Sequence, residues 1–331
     1  MFIISGIYRI LLSSFFILIL VSIPSDLLWD RNNYLYYAGN ADNIIQSYGS
    51  KLELLFNDYI FLEINRLLSY FLTPDDVVTA FLISFLLIYY FLISKFSINF
   101  LTFTIGILLT VLITPLLHLE VVAIRQALAT ILVILSLVYL KDKRLILIVF
   151  ILSSLIHSSF YLLTLLFFVD AFVLSNFDKK LKFFLNFIII LIISLSYLFV
   201  ANYLGFRQAE LYASYDGSVS GGTFLLVLFL YLYLYFSYGN VNFKYLYNFV
   251  LQGFLLFLIF YISANASVSA RFLESIFPAF ILLLVNKFRR IELGVIFFII
   301  LAYGYVWFNG GQYIIFEVSP MQVNHVLGTL L

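Results

Sequence analysis

Three arginines stand where an otherwise apolar sequence should exclude them: Arg125, Arg207 and Arg271. Arg125 lies inside an apolar run, Arg271 opens another, and Arg207 falls just beyond the end of a third. A guanidinium at the centre of a membrane helix costs at least about 2.5–3.5 kcal/mol, less near the interface. A bound anion would offset that cost. Guanidinium forks hold phosphate oxygens in pairs, which makes a diphosphate the natural candidate. The runs starting near 121 and 271 are expected to pass from outside to inside. Their free N–H groups and positive dipole ends then face outward beside Arg125 and Arg271. The alternative is local pairing of Arg125 with Glu120, Arg271 with Glu274, and Arg207 with Glu210; Glu274 is three residues from Arg271 and within reach. Three such arginines together on the outer side favour an anion site.

His157, flanked by Ser154, Ser158 and Ser159, is expected at an outer turn. It is read as a general base, a donor to the anion, or a structural hydrogen-bonded residue. His118, after Thr114-Pro115, is read as interfacial, and His325 carries little signal. Asp42, Glu63, Glu120 and Asp216 are candidate bases or sugar contacts. Against this, Asp42 and Asp216 read as solvated loop residues, and Glu63 reads as the structural partner of Arg66. Tyr34, Tyr36, Tyr37, Tyr48, Tyr203, Tyr212 and Tyr215 offer stacking faces for sugars, or anchor the chain at the interface. The sequence has no cysteine and three histidines, so thiolate chemistry is excluded and a metal site or cofactor is not expected. No Asp-x-Asp motif is present, which disfavours a nucleotide-sugar enzyme working with a divalent cation.

The elements that must position these residues are membrane helices. Of 331 residues, 64% are hydrophobic and 11% charged, with mean hydropathy +1.10; soluble domains carry about 25% charged residues. The expected fold is all-α, a polytopic transmembrane bundle of about eleven spans (about 10–13) forming a single integral membrane domain over 1–331. Apolar runs place spans near 7–23, 77–94, 98–117, 121–140, 145–157, 160–177, 182–204, 222–238, 246–263, 271–286 and 293–309. The first run lacks a cleavage site and is read as a retained span. Residues 145–177 read as two helices turning at His157-Ser158-Ser159; one long tilted helix is the alternative, and it would reverse every later loop. Residues 24–76 form a first outer loop, within which Leu52–Leu72 reads as an amphipathic helix at the outer interface. A second outer loop covers 205–221, and the tail from 310 also lies outside.

Loop charge follows the positive-inside rule under this arrangement. Arg9, Lys95, Lys141, Lys143, Arg144, Lys179, Lys180, Lys182, Lys244, Lys287, Arg289 and Arg290 fall inside, twelve of the 18 basic residues. The net charge of +1 argues against a nucleic-acid partner.

The block Glu120-Val-Val-Ala-Ile-Arg125-Gln126-Ala127-Leu-Ala129, then Lys141-Asp-Lys-Arg144, then His157-Ser158-Ser159-Phe160, resembles the EpsG family, which overlaps the Wzy-type O-antigen and capsule polymerases. Asp42 with Tyr48, then Glu63, are similar to the family's first outer segment; Arg207 with Tyr212, and Arg271, are similar to its later basic positions. The resemblance covers roughly residues 30–290.

The resemblance implies a GT-C-like, metal-independent glycosyltransferase in the bacterial inner membrane, with its site facing the periplasm or exterior. Such an enzyme moves a glycan from undecaprenyl diphosphate to the non-reducing end of another lipid-linked repeat unit. It implies Arg125, Arg271 and His157 as catalytic, and Arg207, Tyr212, Asp42, Tyr48, Glu63, Gln126 and Glu120 as substrate-binding. Partners are the lipid-linked oligosaccharide, the bilayer, a chain-length regulator and a flippase. A flippase or transporter of lipid-linked oligosaccharide, and an outer-leaflet O-antigen ligase, remain the alternatives.

Overall fold

A computed structural model describes residues 2–203, 221–236, 243–264 and 266–316. Its helices are α1 (Phe2–Val21), α2 (Arg31–Ser47), α3 (Lys51–Phe56), α4 (Tyr59–Leu68), α5 (Pro74–Phe96), α6 (Phe100–Leu112), α7 (Thr114–Val121), α8 (Ile124–Tyr139), α9 (Lys143–Ser154), α10 (Phe160–Phe168), α11 (Lys179–Tyr203), α12 (Gly221–Phe236), α13 (Lys244–Ser263), α14 (Ala266–Asn286) and α15 (Arg290–Phe308). A π-helical turn, Val169–Val173, extends α10.

Local chemistry sets several of these boundaries. Thr73 caps α5, accepting from the Asp76 N–H (3.3 Å) and donating to the Asp76 carboxylate (2.6 Å), with Pro74 at the first position. Such a cap contributes about 1 kcal/mol. Asp75 and Asp76 in the first turn and Lys95 in the last complement the helix dipole. Asn99 and Thr102 form a reciprocal capping box at the start of α6. Pro115 then ends the ladder of α6, since it has no N–H for the Val111 carbonyl. The chain bends by 81° between α6 and α7.

Every expected span coincides with helix, yet the expected count of about eleven full spans is not met. Among the described residues, five helices are long and apolar enough to cross a membrane, or six if the bent α6–α7 pair is one span. The reason is length. At 1.5 Å per residue, the 12 residues of α9 rise about 18 Å, against a hydrocarbon core about 30 Å thick. The run 145–177 is broken near His157, as the two-helix reading requires, but into short helices. Leu52–Leu72 is also broken. Instead of one amphipathic helix it forms α3 and α4, separated at Asn57-Asp58, with Asp58 at φ 63°.

The core sits along α14, of whose apolar stretch 89% is buried, against 17% for α11. α13 and α14 pack along one another, and α5, α6, α7 and α8 also contact α14. Contacts define two ends of the bundle. At one end Arg9 reaches the Ser94 carbonyl (2.5 Å), Lys95 lies over the Tyr139 ring (4.0 Å), Lys143 reaches the Ala171 carbonyl (3.0 Å), and Asn286 reaches the Phe96 carbonyl (3.1 Å). At the other end Arg31 donates to the Val121 carbonyl (2.9 Å), Trp307 to the Leu112 carbonyl (2.7 Å), and Leu28 pairs with Phe316.

Gly253 lets α13 approach α14 closely, because a Cβ there would collide with the Ile276 side chain. Overpacking of this kind costs about 1–3 kcal/mol. Gly253→Ala should lower thermal stability in detergent by that amount. The loss in the Gly253→Ala/Ile276→Ala double variant should be smaller than the sum of the two single losses.

Candidate active site

Arg125 is the second residue of α8, which starts after Ala123 without a side-chain cap. Its guanidinium pairs with the Asp58 carboxylate, and the two side chains are 14% and 11% exposed. Asp58 occupies the N-cap of α4. Its other oxygen, Oδ1, accepts from the Ser158 N–H at 3.0 Å. Two further bonds clamp the same turn: the Ile60 N–H to the Leu155 carbonyl (2.8 Å) and the Tyr161 hydroxyl to the Leu55 carbonyl (2.8 Å). The rings of Tyr37, Tyr34 and Phe61 surround the guanidinium at 5.0, 5.6 and 5.9 Å from its carbon. Each is a cation–π contact that favours a desolvated charge. Burial pushes the Tyr34 hydroxyl above its ordinary pKa, so it stays protonated.

Gln126 joins α8 to α14. Its amide donates to the Arg271 carbonyl (2.5 Å) and to Ser275 Oγ (2.9 Å). Arg271 lies 3.3 Å from Glu274, which His118 Nδ1 approaches at 3.2 Å from the other side. At 32% exposure Arg271 is the more open of the two site arginines. The His157 ring is buried. Its Nδ1 accepts from the Ser159 N–H (3.2 Å) and lies 2.8 Å from Ser159 Oγ. Arg125 thus reaches the His157 turn through Asp58, and Gln126 reaches Arg271 directly, so the start of α8 ties these residues together.

The remaining candidates divide. Arg125 does not pair with Glu120; its partner is Asp58. Glu120 turns instead into the core beside Tyr89, Tyr90 and Thr110, and neither carboxylate oxygen has a hydrogen-bond partner among the described residues. Arg271 does pair with Glu274, the local reading. It lies in the second turn of α14, not the first, because the helix starts at Ala266; the dipole argument applies to Arg125 alone. Glu63 and Asp42 meet Arg66 at 2.6 and 3.9 Å, apart from the Arg125 cluster. Tyr48 packs half-buried against the core. Tyr34 and Tyr37 are buried around Arg125, so they are not open sugar platforms, whereas Tyr36 is exposed. His118 is buried, not interfacial. Arg207, Tyr212, Asp216, His325 and residues 205–220 of the second outer loop lie outside the described residues.

Asp58 is the residue the sequence reading missed. It does not stand out in the sequence, because Glu53 and Glu63 flank it at five residues on either side. The arrangement offers a buried guanidinium paired with Asp58, a second, partly open one paired with Glu274, and a buried imidazole on the turn that Asp58 holds. Such a set suits a polyanion that enters from the open side. Among the described residues, no three histidine, aspartate or glutamate side chains converge to ligate a metal.

Removing one member of a buried ion pair strands the other, at about 3–5 kcal/mol. Asp58→Asn should therefore lower thermal stability sharply, and Asp58→Asn/Arg125→Gln should recover part of the loss. Equal melting of wild type and Asp58→Asn would count against a desolvated pair.

No curated protein and no solved structure matches the chain. The EpsG family profile matches residues 6–321, nearly the whole length, and EpsG is a Wzy-type polymerase family. The chain therefore belongs to the EpsG family.

Proposed function

We propose that this chain is a polysaccharide polymerase that transfers a glycan from undecaprenyl diphosphate to the non-reducing end of another lipid-linked repeat unit at the outer leaflet of the bacterial inner membrane. The observation that carries this reading is the linkage of the site through α8: Arg125 pairs with Asp58, which also holds the turn carrying His157, while its neighbour Gln126 holds the Arg271 backbone. The charge distribution supports the orientation: the twelve basic residues assigned to the inside include those gathered at the opposite end. Five or six helices long enough to cross, with shorter apolar helices packed among them, fit a bundle whose outer end is recessed. On this reading a 12-residue α9 leaves the His157 turn short of the outer interface, at a depth where a polyprenyl chain would stay in lipid while its sugars extend outward.

The chemistry is a displacement at the anomeric carbon. The bond from that carbon to the diphosphate oxygen breaks, the acceptor hydroxyl oxygen forms the new glycosidic bond, and the hydroxyl proton passes to the departing diphosphate. Negative charge grows on the leaving diphosphate, so the main task is to stabilise it with donors fixed in advance. Arg271 is the open donor. Arg125 is held rigid by Asp58 and supplies field and a second donor edge. Gln126 positions Arg271 through its backbone carbonyl.

His157 fits a donor role better than a basic one. A neutral ring whose Nδ1 accepts from a backbone N–H carries its proton on Nε2. It then offers an N–H to a phosphate oxygen. Arg207 and Tyr212 are proposed to complete the lipid and sugar contacts, with Asp42, Tyr48 and Glu63 on the acceptor side.

Arg271→Ala, at normal abundance, should cut polymer formation by about 10²-fold or more and leave single repeat units on the lipid carrier at the cell surface. Units stalled inside the cell would indicate transport instead. His157→Gln keeps an N–H donor and should retain far more polymer than His157→Ala. Equal loss in both, with a pH profile that changes, would assign His157 as the base.

A further inference from the structure

A cavity opens at the end of the bundle opposite Arg125 and Arg271. It has a volume of about 320 Å³ and lies between the π-helical turn, α11, α12 and α13. Lys179, Lys182 and Lys244 line it. Among the described residues, its one lining carboxylate, Asp170, is already occupied: Lys182 Nζ lies 2.7 Å from Oδ1, to which the Gln252 amide also donates, and Asn248 donates to Oδ2 at 3.1 Å. Asp170 sits in the π turn, and such turns inside helices commonly mark functional sites. With one lysine neutralised by Asp170, the wall keeps an excess of positive charge. Lys179 is held in place by the Tyr235 carbonyl and lies over the Tyr235 ring at 4.4 Å.

A second observation points to a ligand. Asn186 also lines the cavity, is only 4% exposed, and its Oδ1 has no hydrogen-bond partner among the described residues. A buried amide oxygen in that state asks for a donor, such as a hydroxyl. Basic pockets between membrane helices on the cytoplasmic side take phosphorylated lipid headgroups. The mouth lies at the end that the charge distribution assigns to the cytoplasm.

We propose that this cavity binds a phosphate group bearing a hydroxyl, with Lys179 and Lys244 facing the phosphate and Asn186 accepting from the hydroxyl. The chemistry is shared by an anionic lipid headgroup such as phosphatidylglycerol and by free phosphate. The site is separate from the polymerase reading and does not depend on it.

The test is binding to the purified full chain in neutral detergent, at constant ionic strength, read by native mass spectrometry for phosphatidylglycerol and by labelled inorganic phosphate. Saturable binding is expected, weakened about fivefold by Lys244→Gln and by a similar factor by Asn186→Ala. Lys141→Gln, an exposed lysine on the same face but outside the cavity, should bind as wild type. Binding of phosphatidylglycerol alone identifies a lipid headgroup, and binding of phosphate in both forms identifies a general phosphate site. Absence of binding to both probes, or equal binding by all variants, overturns the proposal.

Discussion

A charge cannot be left unpaired in a medium that cannot solvate it. The Arg125–Asp58 pair is where that constraint shapes this protein most. Arg125 comes from the start of α8, and Asp58 from the break between α3 and α4. Satisfying the one with the other fastens the first outer segment onto the bundle. Asp58 also holds the Ser158 N–H, so the same carboxylate fixes the turn that carries His157. Tyr34, Tyr37 and Phe61 then close around the guanidinium and exclude water. One ion pair thus positions three separate stretches of chain, and the left-handed backbone at Asp58 is what aims the carboxylate.

The second half of the site is assembled by uncharged bonds. Gln126 sits beside Arg125 in the sequence and faces α14, where it holds the Arg271 backbone and Ser275. The Arg-Gln pair therefore works as a unit, one residue reaching toward the outer segment and the other toward the most buried helix. Glu274 links Arg271 to His118 on α7. The bend between α6 and α7, set by Pro115, brings His118 into that position.

Much of this was legible in the residues. Hydropathy located the membrane helices, because each is bounded by charge or turn residues, and the His157-Ser158-Ser159 break separated α9 from α10 as expected. Arg125, His157 and Arg271 stand out because charge and polarity are conspicuous in a chain with 11% charged residues, whereas Gln126 enters only through the resemblance. The partners were not. Asp58 lies 67 positions from Arg125, and no local spacing rule reaches that far. Glu120, five residues from Arg125, was the local choice, yet the chain turns at Val122-Ala123 and sends it into the core. Helix length was also misread: hydropathy reports that a segment is apolar, not that it is long enough to cross. Tyr34 and Tyr37 were read as exposed loop aromatics because nothing in the loop composition reveals that Arg125 lies beneath them.

The most direct measurement is a structure of the full chain in a lipid nanodisc with undecaprenyl diphosphate bound. The diphosphate is expected within hydrogen-bond distance of the Arg271 guanidinium, with His157 Nε2 facing a phosphate oxygen and the Arg125–Asp58 pair intact. A diphosphate seated elsewhere, with Arg271 and His157 making no contact to it, would contradict the assignment of this cluster as the lipid-diphosphate site.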